Sequence, residues 1–513
     1  MPLILLPLLR FVFAVLSIAF ARTRRVLVVL SLLIDGALLA ALILRLAGGE
    51  TTMLTLGGVP EGIGISMFGD RIGLTFAVLA WGLNIAVGIY AVKDRLQPYF
   101  FLLLHLVIGA CYALAFTKDL FNAYLLFDLL TLASFLLVGY PRRSRQIWAS
   151  LNYLILSSLG MSIFLLGVGV VYAHTGVLDV GLLRPAIAAA QGERWVILAA
   201  ALLVSGIAVK AGVFLFSLWL PSAHARAMPL VSALLSGLVI KMGVLELFRL
   251  ADVFPIQLPL IVLGAASGLL GILYAVYTTD LKRLLAFSTL AQIGYILIGF
   301  GAGTEIGRLG ALSYAVAHGL FKALLFLSVG EAAACVGSAQ VGELREHRDR
   351  IPLGTRIAMG VGVLGIMGLP PLAGYDAKAI LEDGLQSGFL HAIFVIISIG
   401  TVIAFAKAVP ILFSRSTVRT HRAHVAAYGW LSLLIVFFWP ISLLVTPLQV
   451  SLHVFSGPHL AEALAAFLGG GALYGMVIRR RSFRLTRAIF RMDVAPLLVL
   501  AGFMLFYGLL VLS

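Results

Sequence analysis

The chain has 513 residues, of which 61% are hydrophobic and only 12% carry a charge. A soluble domain of this length needs more charged surface, so the composition excludes a soluble globular protein. Thirty-seven basic residues against 22 acidic ones give a formal net charge of +15. There is no basic-aromatic patch and no phosphate-binding loop, so we interpret the excess as basic cytoplasmic loops of a membrane protein and predict no nucleic-acid partner.

The two cysteines, Cys111 and Cys335, are far apart in or near apolar stretches. They form no CxxC pair and no set of metal ligands, so we predict no disulfide, no metal site and no cofactor. No motif for redox chemistry or ATP hydrolysis is present. The chain therefore has no redox or hydrolytic site of its own. It would be part of an enzyme only through its partners, for example as the proton-pumping subunit of an oxidoreductase complex.

Apolar stretches of about 17 to 25 residues, the length of a membrane-spanning helix, recur along the chain. We predict an all-α polytopic membrane protein with fourteen core spans followed by two C-terminal ones. Their approximate cores are 3–20, 26–44, 72–92, 99–116, 120–138, 151–172, 196–220, 230–250, 258–277, 284–300, 309–329, 357–385, 390–413, 426–445, 460–478 and 494–512.

The charges in the loops alternate from one span to the next. Acidic residues with few bases follow the even spans: Glu50, Glu61, Asp70, Asp179, Asp252 and Glu305. Basic clusters follow the odd spans: Arg22, Arg24, Arg25, Lys93, Arg95, Arg142, Arg143, Arg145, Lys282, Arg283, Arg345, Arg348, Arg350, Arg415, Arg419, Arg422 and the run "RRRSFRLTR". Positive loops stay inside, so we expect both termini outside a prokaryotic cytoplasmic (inner) membrane.

Two spans carry helix-breaking sequences. The seventh ends "KAGVFLFSLWLPSAH", and the twelfth contains Pro370, Pro371 and Gly374. A span broken at membrane depth lines a cavity or packs on protein. Two breaks five spans apart predict two inverted five-helix repeats. We expect helices 1–3 in residues 1–98, the first repeat in 99–251, the second in 252–413 and helices 14–16 in 414–513.

Several ionisable residues lie inside the predicted spans, where a central Lys or Asp costs about 2.5 to 3.5 kcal/mol. A lysine near a span end usually reaches the interface, but Lys241 and Lys407 lie near mid-span. His318 alone is as well explained by packing as by function. With Lys322 one helical turn later on the same face, a proton relay is favoured.

Burial disfavours the charged form of lysine, so such groups can exchange protons near neutral pH. Other charged residues have simpler explanations. Glu246 and Arg249 are spaced i,i+3, which favours a local ion pair. Lys118 and Asp119 lie at a span boundary, where they are interfacial or Asp119 caps the next helix.

Five motifs carry a resemblance to a known family: "DLFNAYLLFD", "WLPSAHARAMPLVSALLSGLVIKMGV", "DLKRLLAFSTLAQIGYILIG", "AHGLFKALLFLSVG" and "GLPPLAGYDAK". They resemble the antiporter-like subunits of respiratory complex I, Mrp-type cation/proton antiporters and membrane-bound hydrogenases, with a pattern nearest the Mrp D subunit. The resemblance covers most of spans three to thirteen.

The resemblance implies a role for each matching position. Asp128 is the span-five acid that pairs with Lys210, and Lys241 lies in the matching span-eight motif. His318 and Lys322 form the central relay, and Lys378 is the terminal lysine of the second broken helix. Lys407 is added because of its mid-span place, which we take as the counterpart of Lys241 in the second repeat. No redox cofactor or metal is implied for this subunit itself.

The sequence departs from the family pattern at four positions. Asp128 replaces a longer Glu, which predicts a looser or water-bridged pair with Lys210. Ser222 replaces an acid. Leu215 stands near the place of the usual proline, which predicts a softer break in span seven. Asp376, two residues before Lys378, is an additional carboxylate that we expect to keep that lysine protonated.

These observations predict a proton-translocating, antiporter-like subunit of a larger complex. Its partners would be other membrane subunits, the lipid bilayer, protons and, in one alternative, sodium ions carried by this chain or a neighbour. A second alternative is a non-pumping anchor of a hydrogenase or bicarbonate-uptake complex. The retained buried lysines argue against an anchor, because it has no use for charge that is costly to bury.

Overall fold

The computed structural model describes residues 2–512 except 21, 50–51, 56–63, 92–95, 141, 415, 417, 444–452 and 477–494. Five loop charges used above, Glu50, Glu61, Lys93, Arg95 and Arg415, and the basic run at 479–487 lie outside the described residues. The described chain is almost entirely helical. Apolar helices satisfy their own backbone hydrogen bonds, which is the requirement that lipid imposes on a spanning segment.

The helices, in chain order, are numbered α1 to α22. They are α1 (Pro2–Ala19), α2 (Arg24–Ala47), α3 (Arg71–Ala91), α4 (Pro98–Phe116), α5 (Leu120–Val138), α6 (Ser144–Thr175), α7 (Val180–Ala189), α8 (Arg194–Ala211), α9 (Trp219–Arg226), α10 (Pro229–Val253), α11 (Gln257–Tyr277), α12 (Leu281–Gly301), α13 (Glu305–Val336), α14 (Val341–Glu346), α15 (Leu353–Met367), α16 (Ala373–Asp383), α17 (Gly388–Ala406), α18 (Val409–Leu412), α19 (Arg422–Val436), α20 (Phe438–Ser442), α21 (Gly457–Met476) and α22 (Ala495–Leu512). Strands β1 (Thr52–Thr55) and β2 (Ser66–Gly69) form an antiparallel pair with Thr52 opposite Gly69.

Twelve of these helices are long and apolar enough to cross a membrane. They coincide with predicted spans one to eleven and thirteen, which confirms a polytopic membrane protein. The other four predicted spans fall on helices outside this set. Span twelve is split into α15 and α16, span fourteen matches the 15-residue α19, and the last two match α21 and α22.

The chain separates into two compact units. The first contains Met1–Trp219, Leu238–Pro259 and Met492–Ser513, and the second contains Leu220–Gly237 and Leu260–Arg491. The order of elements from α4 to α10 recurs from α11 to α17: a long helix, a second, one of 32 residues, a short helix, a helix that ends in a break, a short helix and a final long helix. This recurrence is what the predicted repeats require, while their domain boundaries stay a prediction.

Matching caps strengthen the correspondence. Asp119 caps α5 by accepting a hydrogen bond from the Asn122 backbone, which confirms the predicted capping role. Asp280 caps α12 in the same way, through the backbone N–H of Arg283. Each cap also forms an isolated β-bridge with the residue that precedes the short helix, Asp179 or Gln340. The second and fourth elements of each series are therefore joined alike.

Both breaks begin with a left-handed glycine, Gly212 after α8 and Gly368 after α15. A side chain is disfavoured in that conformation, so glycine ends the helix at low cost. The first break is complete rather than softer as expected, because Leu215 also has a positive φ of 72°. The backbone carbonyl of Val209, freed at the end of α8, accepts a hydrogen bond from Trp219 Nε1 at 3.1 Å, which keeps the broken backbone satisfied.

A buried charge cluster that the sequence analysis did not identify joins the first helices of the first unit. Arg10 on α1 forms an ion pair with Asp35 on α2, and both side chains are at most 1% exposed. Tyr112 on α4 donates to Asp35 at 2.6 Å, and Arg10 lies 3.0 Å from His105 Nδ1. Arg10 and Asp35 compensate each other, so neither group is left as an unpaired buried charge.

Candidate functional site

The first predicted pair centres on Lys210, the penultimate residue of α8, which is 3% exposed. Its Nζ donates a hydrogen bond to Thr131 Oγ1 on α5 and lies 5.6 Å from the ring centroid of Tyr153 on α6. Asp128 lies one helical turn before Thr131, is half-buried, and attracts Lys210 electrostatically from farther away. The hydroxyl rather than the carboxylate is therefore the direct partner of this ammonium group.

Further hydroxyl groups surround the same point. Ser134 and Ser157 face Tyr153 from α5 and α6. All three hydroxyls are buried and approach one another, but none of them makes a hydrogen bond of normal geometry among the described residues. Buried polar atoms of this kind are normally satisfied by ordered water. We therefore expect water beside Lys210.

Lys241 lies on α10, directly after a π-helical segment at Leu235–Val239, and is fully buried. Local π-helical turns are frequent at functional sites. Gly243, two residues later, allows α10 to touch the end of α8, since a Cβ there would lie 2.6 Å from the Ala211 backbone nitrogen. Lys241 and Lys210 are thus carried by two helices in direct backbone contact.

The predicted central relay lies on α13. His318 and Lys322 are both fully buried. Lys322 Nζ donates to the backbone oxygen of Leu285 at 2.6 Å and to Ser288 Oγ at 2.5 Å, both on α12. Both acceptors are uncharged oxygens, so these two hydrogen bonds satisfy donors of the ammonium group without adding a counter-charge.

A hydrogen-bonded chain that the sequence analysis missed lies beside His318. The His318 ring stacks beside that of Tyr314, with centroids 6.4 Å apart. Tyr314 donates its hydroxyl to Gln292 Oε1, and Gln292 Nε2 donates to Thr401 Oγ1 at 3.2 Å. A hydrogen-bonded chain across α12, α13 and α17 therefore begins at a ring that stacks on His318.

Lys378 on α16 is 8% exposed and lies beside Tyr295, whose ring packs edge to face on that of Tyr314. Its Nζ is 5.3 Å from the ring centroid of Tyr295, whose hydroxyl lies 2.9 Å from Ser398 Oγ. Nζ also donates weakly, at 3.5 Å, to the Ile366 carbonyl that the second break leaves open. The carboxylate that attracts Lys378 is Glu382, one turn later, and not Asp376 as expected.

A signal for the missed residues was present in the motif "FSTLAQIGY". Ser288, Gln292 and Tyr295 are spaced i, i+4 and i+7, which places them on one face of α12. A polar stripe inside an apolar span predicts a face turned toward protein rather than lipid. The structure places Lys322, Tyr314 and Lys378 against this stripe.

Lys407 has a different environment. Its Nζ donates to three backbone oxygens at the end of α11, those of Ala275 at 2.7 Å, Val276 at 2.9 Å and Thr278 at 2.7 Å. The last carbonyls of a helix lack partners within the helix, and a lysine can supply them. This cap alone accounts for the burial of Lys407, and its proton-transfer role stays a prediction.

Arg249 is the counterpart of Lys407 in the first series of helices. It lies near the end of α10 and donates to the last carbonyls of α4, those of Leu114 at 2.8 Å and Ala115 at 2.7 Å. The predicted local ion pair with Glu246 is also confirmed, at 3.6 Å. By position and by contacts, Arg249 rather than Lys241 corresponds to Lys407.

Comparisons with known proteins show the family of the chain. The family model described as NADH:quinone oxidoreductase/Mrp antiporter, TM, matches residues 117–404. The chain is 31% identical to NADH-quinone oxidoreductase subunit N of Desulforudis audaxviator over 411 residues, 77% of this chain and 81% of that protein. It is 28% identical to a Staphylococcus saprophyticus protein named as antiporter subunit mnhD2, over 74% of this chain and 79% of the relative.

Solved structures share the fold. A chain of the archaeal membrane-bound sulfane sulfur reductase superposes with a TM-score of 0.79 at 20% identity, covering 91% of this chain and 98% of the other. A chain of the Mrp complex from Dietzia sp. DQ12-45-1b gives a TM-score of 0.80 at 21% identity. That match covers 98% of this chain and 59% of the longer Dietzia chain. The matched family segment contains all the predicted proton-transfer residues except Lys407, and the chain belongs to the NADH:quinone oxidoreductase/Mrp antiporter transmembrane family.

Proposed function

We propose that this chain moves protons along buried lysine, histidine and hydroxyl groups as one subunit of a multisubunit membrane complex. The observation that carries the proposal is the environment of Lys322. This side chain is fully buried and held by Ser288 and a backbone carbonyl, both neutral acceptors. Burial makes the charged form of a lysine costly, so a nearby charge can shift its proton.

The order of transfer follows the sequence prediction. Protons are taken up from the cytoplasmic side near Lys210 and Lys241, pass His318 and Lys322, and are released outward near Lys378. Movement of Asp128 relative to Lys210 supplies the electrostatic signal. Support comes from the Lys210–Thr131 bond in the first unit and the Tyr314–Gln292 bond in the second.

The proposed setting is a prokaryotic cytoplasmic membrane, with both termini outside and other membrane subunits as partners. The alternating loop charges support this orientation. The relatives named above are subunits of antiporter or oxidoreductase complexes, and this chain needs such a partner as a source of energy. A redox module or an imposed ion gradient would serve equally well in driving the transfer.

The test uses the native complex, purified in mild detergent and reconstituted into liposomes with an internal pH-sensitive dye. Lys322→Met removes the ammonium group but keeps the length of the side chain, so we expect at least about a tenfold loss of coupled proton movement. The matched control is Lys118→Met, at a site 27% exposed between α4 and α5, with transport retained. Normal transport by an assembled Lys322→Met complex would support the anchor alternative and overturn the proposal. Replacing sodium with potassium in the same assay tests whether sodium is the exchanged ion.

A further inference from the structure

The segment from residue 453 to 476 is docked firmly within the second unit. Tyr375 on α16 donates its hydroxyl to the Val454 backbone oxygen at 2.6 Å. Val454 is buried with Tyr375, Ala379 and Ile380, and α21 continues the contact along α17, where Gly470 abuts Val402. The segment is therefore fixed against α16 and α17, the two helices that follow the second break.

This docking brings two histidines to the end of α16. His453 and His459 meet Asp383, and the potential ligand atoms of all three residues lie within 4.8 Å of one another. His459 Nε2 is 3.0 Å from Asp383 Oδ1, and the two imidazole rings are nearly perpendicular with centroids 5.6 Å apart. Ligand atoms around tetrahedral Zn²⁺ are about 3.4 Å apart, so small side-chain rotations would complete the geometry.

Two further observations favour a bound cation over a simple ion pair. The His459 side chain is 10% exposed, yet its Nδ1 has no hydrogen-bond partner among the described residues. A second group, Glu382, His391 and Glu462, lies immediately beside Asp383 in the chain and has the same 4.8 Å convergence. Ion pairs join His459 to Asp383 and His391 to Glu382, at 3.0 and 3.3 Å, and neither pair accounts for the approach of His453 to the first group.

The donor atoms indicate the class of metal. Two imidazoles with one carboxylate match the preference of Zn²⁺ and similar transition metals, whereas Mg²⁺ and Ca²⁺ prefer sets of oxygen ligands. The carboxyl groups of Glu382 and Glu462 lie nearby, and the field of a dication favours their ionised forms. The sequence analysis predicted no metal site because Asp383 and the histidines belong to segments that only the fold brings together.

We propose that Asp383, His453 and His459 bind a divalent transition metal such as Zn²⁺, and that the bound metal slows proton transfer onto Lys378. The link is Glu382, which precedes Asp383 and attracts Lys378 from one helical turn away. A dication beside Glu382 weakens that attraction and opposes the arrival of a proton. The inhibitory part rests on the proposed function, whereas metal binding does not.

The binding test uses the purified complex, stripped with a chelator and titrated with Zn²⁺ against a fluorescent zinc indicator. His453→Gln and His459→Gln should each lower the affinity for one Zn²⁺ ion at least about tenfold. Even changes to groups that only contact the metal ligands lower metal affinity 10- to 100-fold. The matched control is His174→Gln, an exposed histidine stacked on Trp195 in the first unit, with unchanged affinity. Equal affinity in all variants, or no binding by the wild type, would overturn the site.

The inhibition test adds Zn²⁺ to reconstituted complex during proton transport. We expect the wild type and His174→Gln to be inhibited at the concentration that fills the site, and His459→Gln to resist. Binding without inhibition would overturn the link to Lys378. If the wild type moves no protons at all, the proposed function fails, and the titration still decides the metal site.

Discussion

Lys210 donates its hydrogen bond to Thr131, one helical turn beyond the acid with which it is expected to pair. Asp128 attracts the same lysine from a greater distance. The hydroxyl group therefore gives the ammonium group an acceptor that stays in place whether Asp128 is near or far. Such an acceptor allows the ion pair to open without leaving a buried charge unsatisfied.

Thr131→Val tests this role. Valine has nearly the same shape as threonine but cannot accept a hydrogen bond, and a bond to a charged group is worth about 1.5 to 3 kcal/mol. We expect proton transport by the reconstituted complex to fall at least about tenfold, with assembly intact. Thr131→Ser keeps the hydroxyl and should retain transport. Equal rates for the valine and serine variants would show that the hydroxyl has no part in transfer.

Tyr314→Phe tests the hydrogen-bonded chain of the second unit. The change removes only the hydroxyl that donates to Gln292, so we expect transport to fall several-fold without loss of the subunit. Gln292→Leu should have a similar effect, and the double variant should lose little more than either single one, because both act through one bond. Tyr172→Phe, at an exposed position of α6, is the control. Additive losses would contradict a shared path.

The sequence predicts the ionisable residues of the candidate site better than the hydroxyl and amide groups that contact them. Lys210, Lys241, His318, Lys322 and Lys378 are predicted as site residues because a charge inside an apolar run is costly, and their role in proton transfer stays a prediction. The hydroxyl and amide partners on α5 and α12 are common in membrane helices, where they often bond only to their own helix. Their role depends on the helices that they face. The spacing of residues within one helix does not determine its neighbours.

The same limit explains the assignment of Lys407. Its mid-span place suggested a counterpart of Lys241, but the order of helices aligns it with Arg249. The metal-binding group is a second example, since Asp383 and His459 are brought together by the docking of α21. The sequence contains both residues of such a contact, but it does not show that the fold brings them together.

Lys407→Arg distinguishes a helix-capping role of this side chain from a role in proton transfer. Arginine can donate to the three carbonyls at the end of α11, but its guanidinium group does not release a proton in proteins. We therefore expect Lys407→Arg to retain both thermal stability and proton transport. Lys407→Met should lower the unfolding temperature of the purified complex, because three carbonyls lose their donor. Loss of transport by a stable arginine variant would instead support the relay role predicted from sequence.

The buried pair of Arg10 and Asp35 gives the last prediction. Asp35→Leu leaves Arg10 buried beside His105 without its counter-charge, and breaking a buried pair in this way costs about 3 to 5 kcal/mol. We expect a clearly lower unfolding temperature and a reduced yield of the assembled complex. Arg10→Met combined with Asp35→Leu removes both charges and should recover much of the loss, because replacement of a whole buried pair is often tolerated.

The pair lies outside the proposed proton path, so proton transport by the complex that still assembles is a second measurement. Transport per assembled Asp35→Leu complex should equal that of the wild type, since the cluster fixes α1 and α2 to α4 rather than carrying protons. A stable Asp35→Leu complex with impaired transport would reverse the assignment, because a purely structural ion pair affects the amount of folded protein and not its rate.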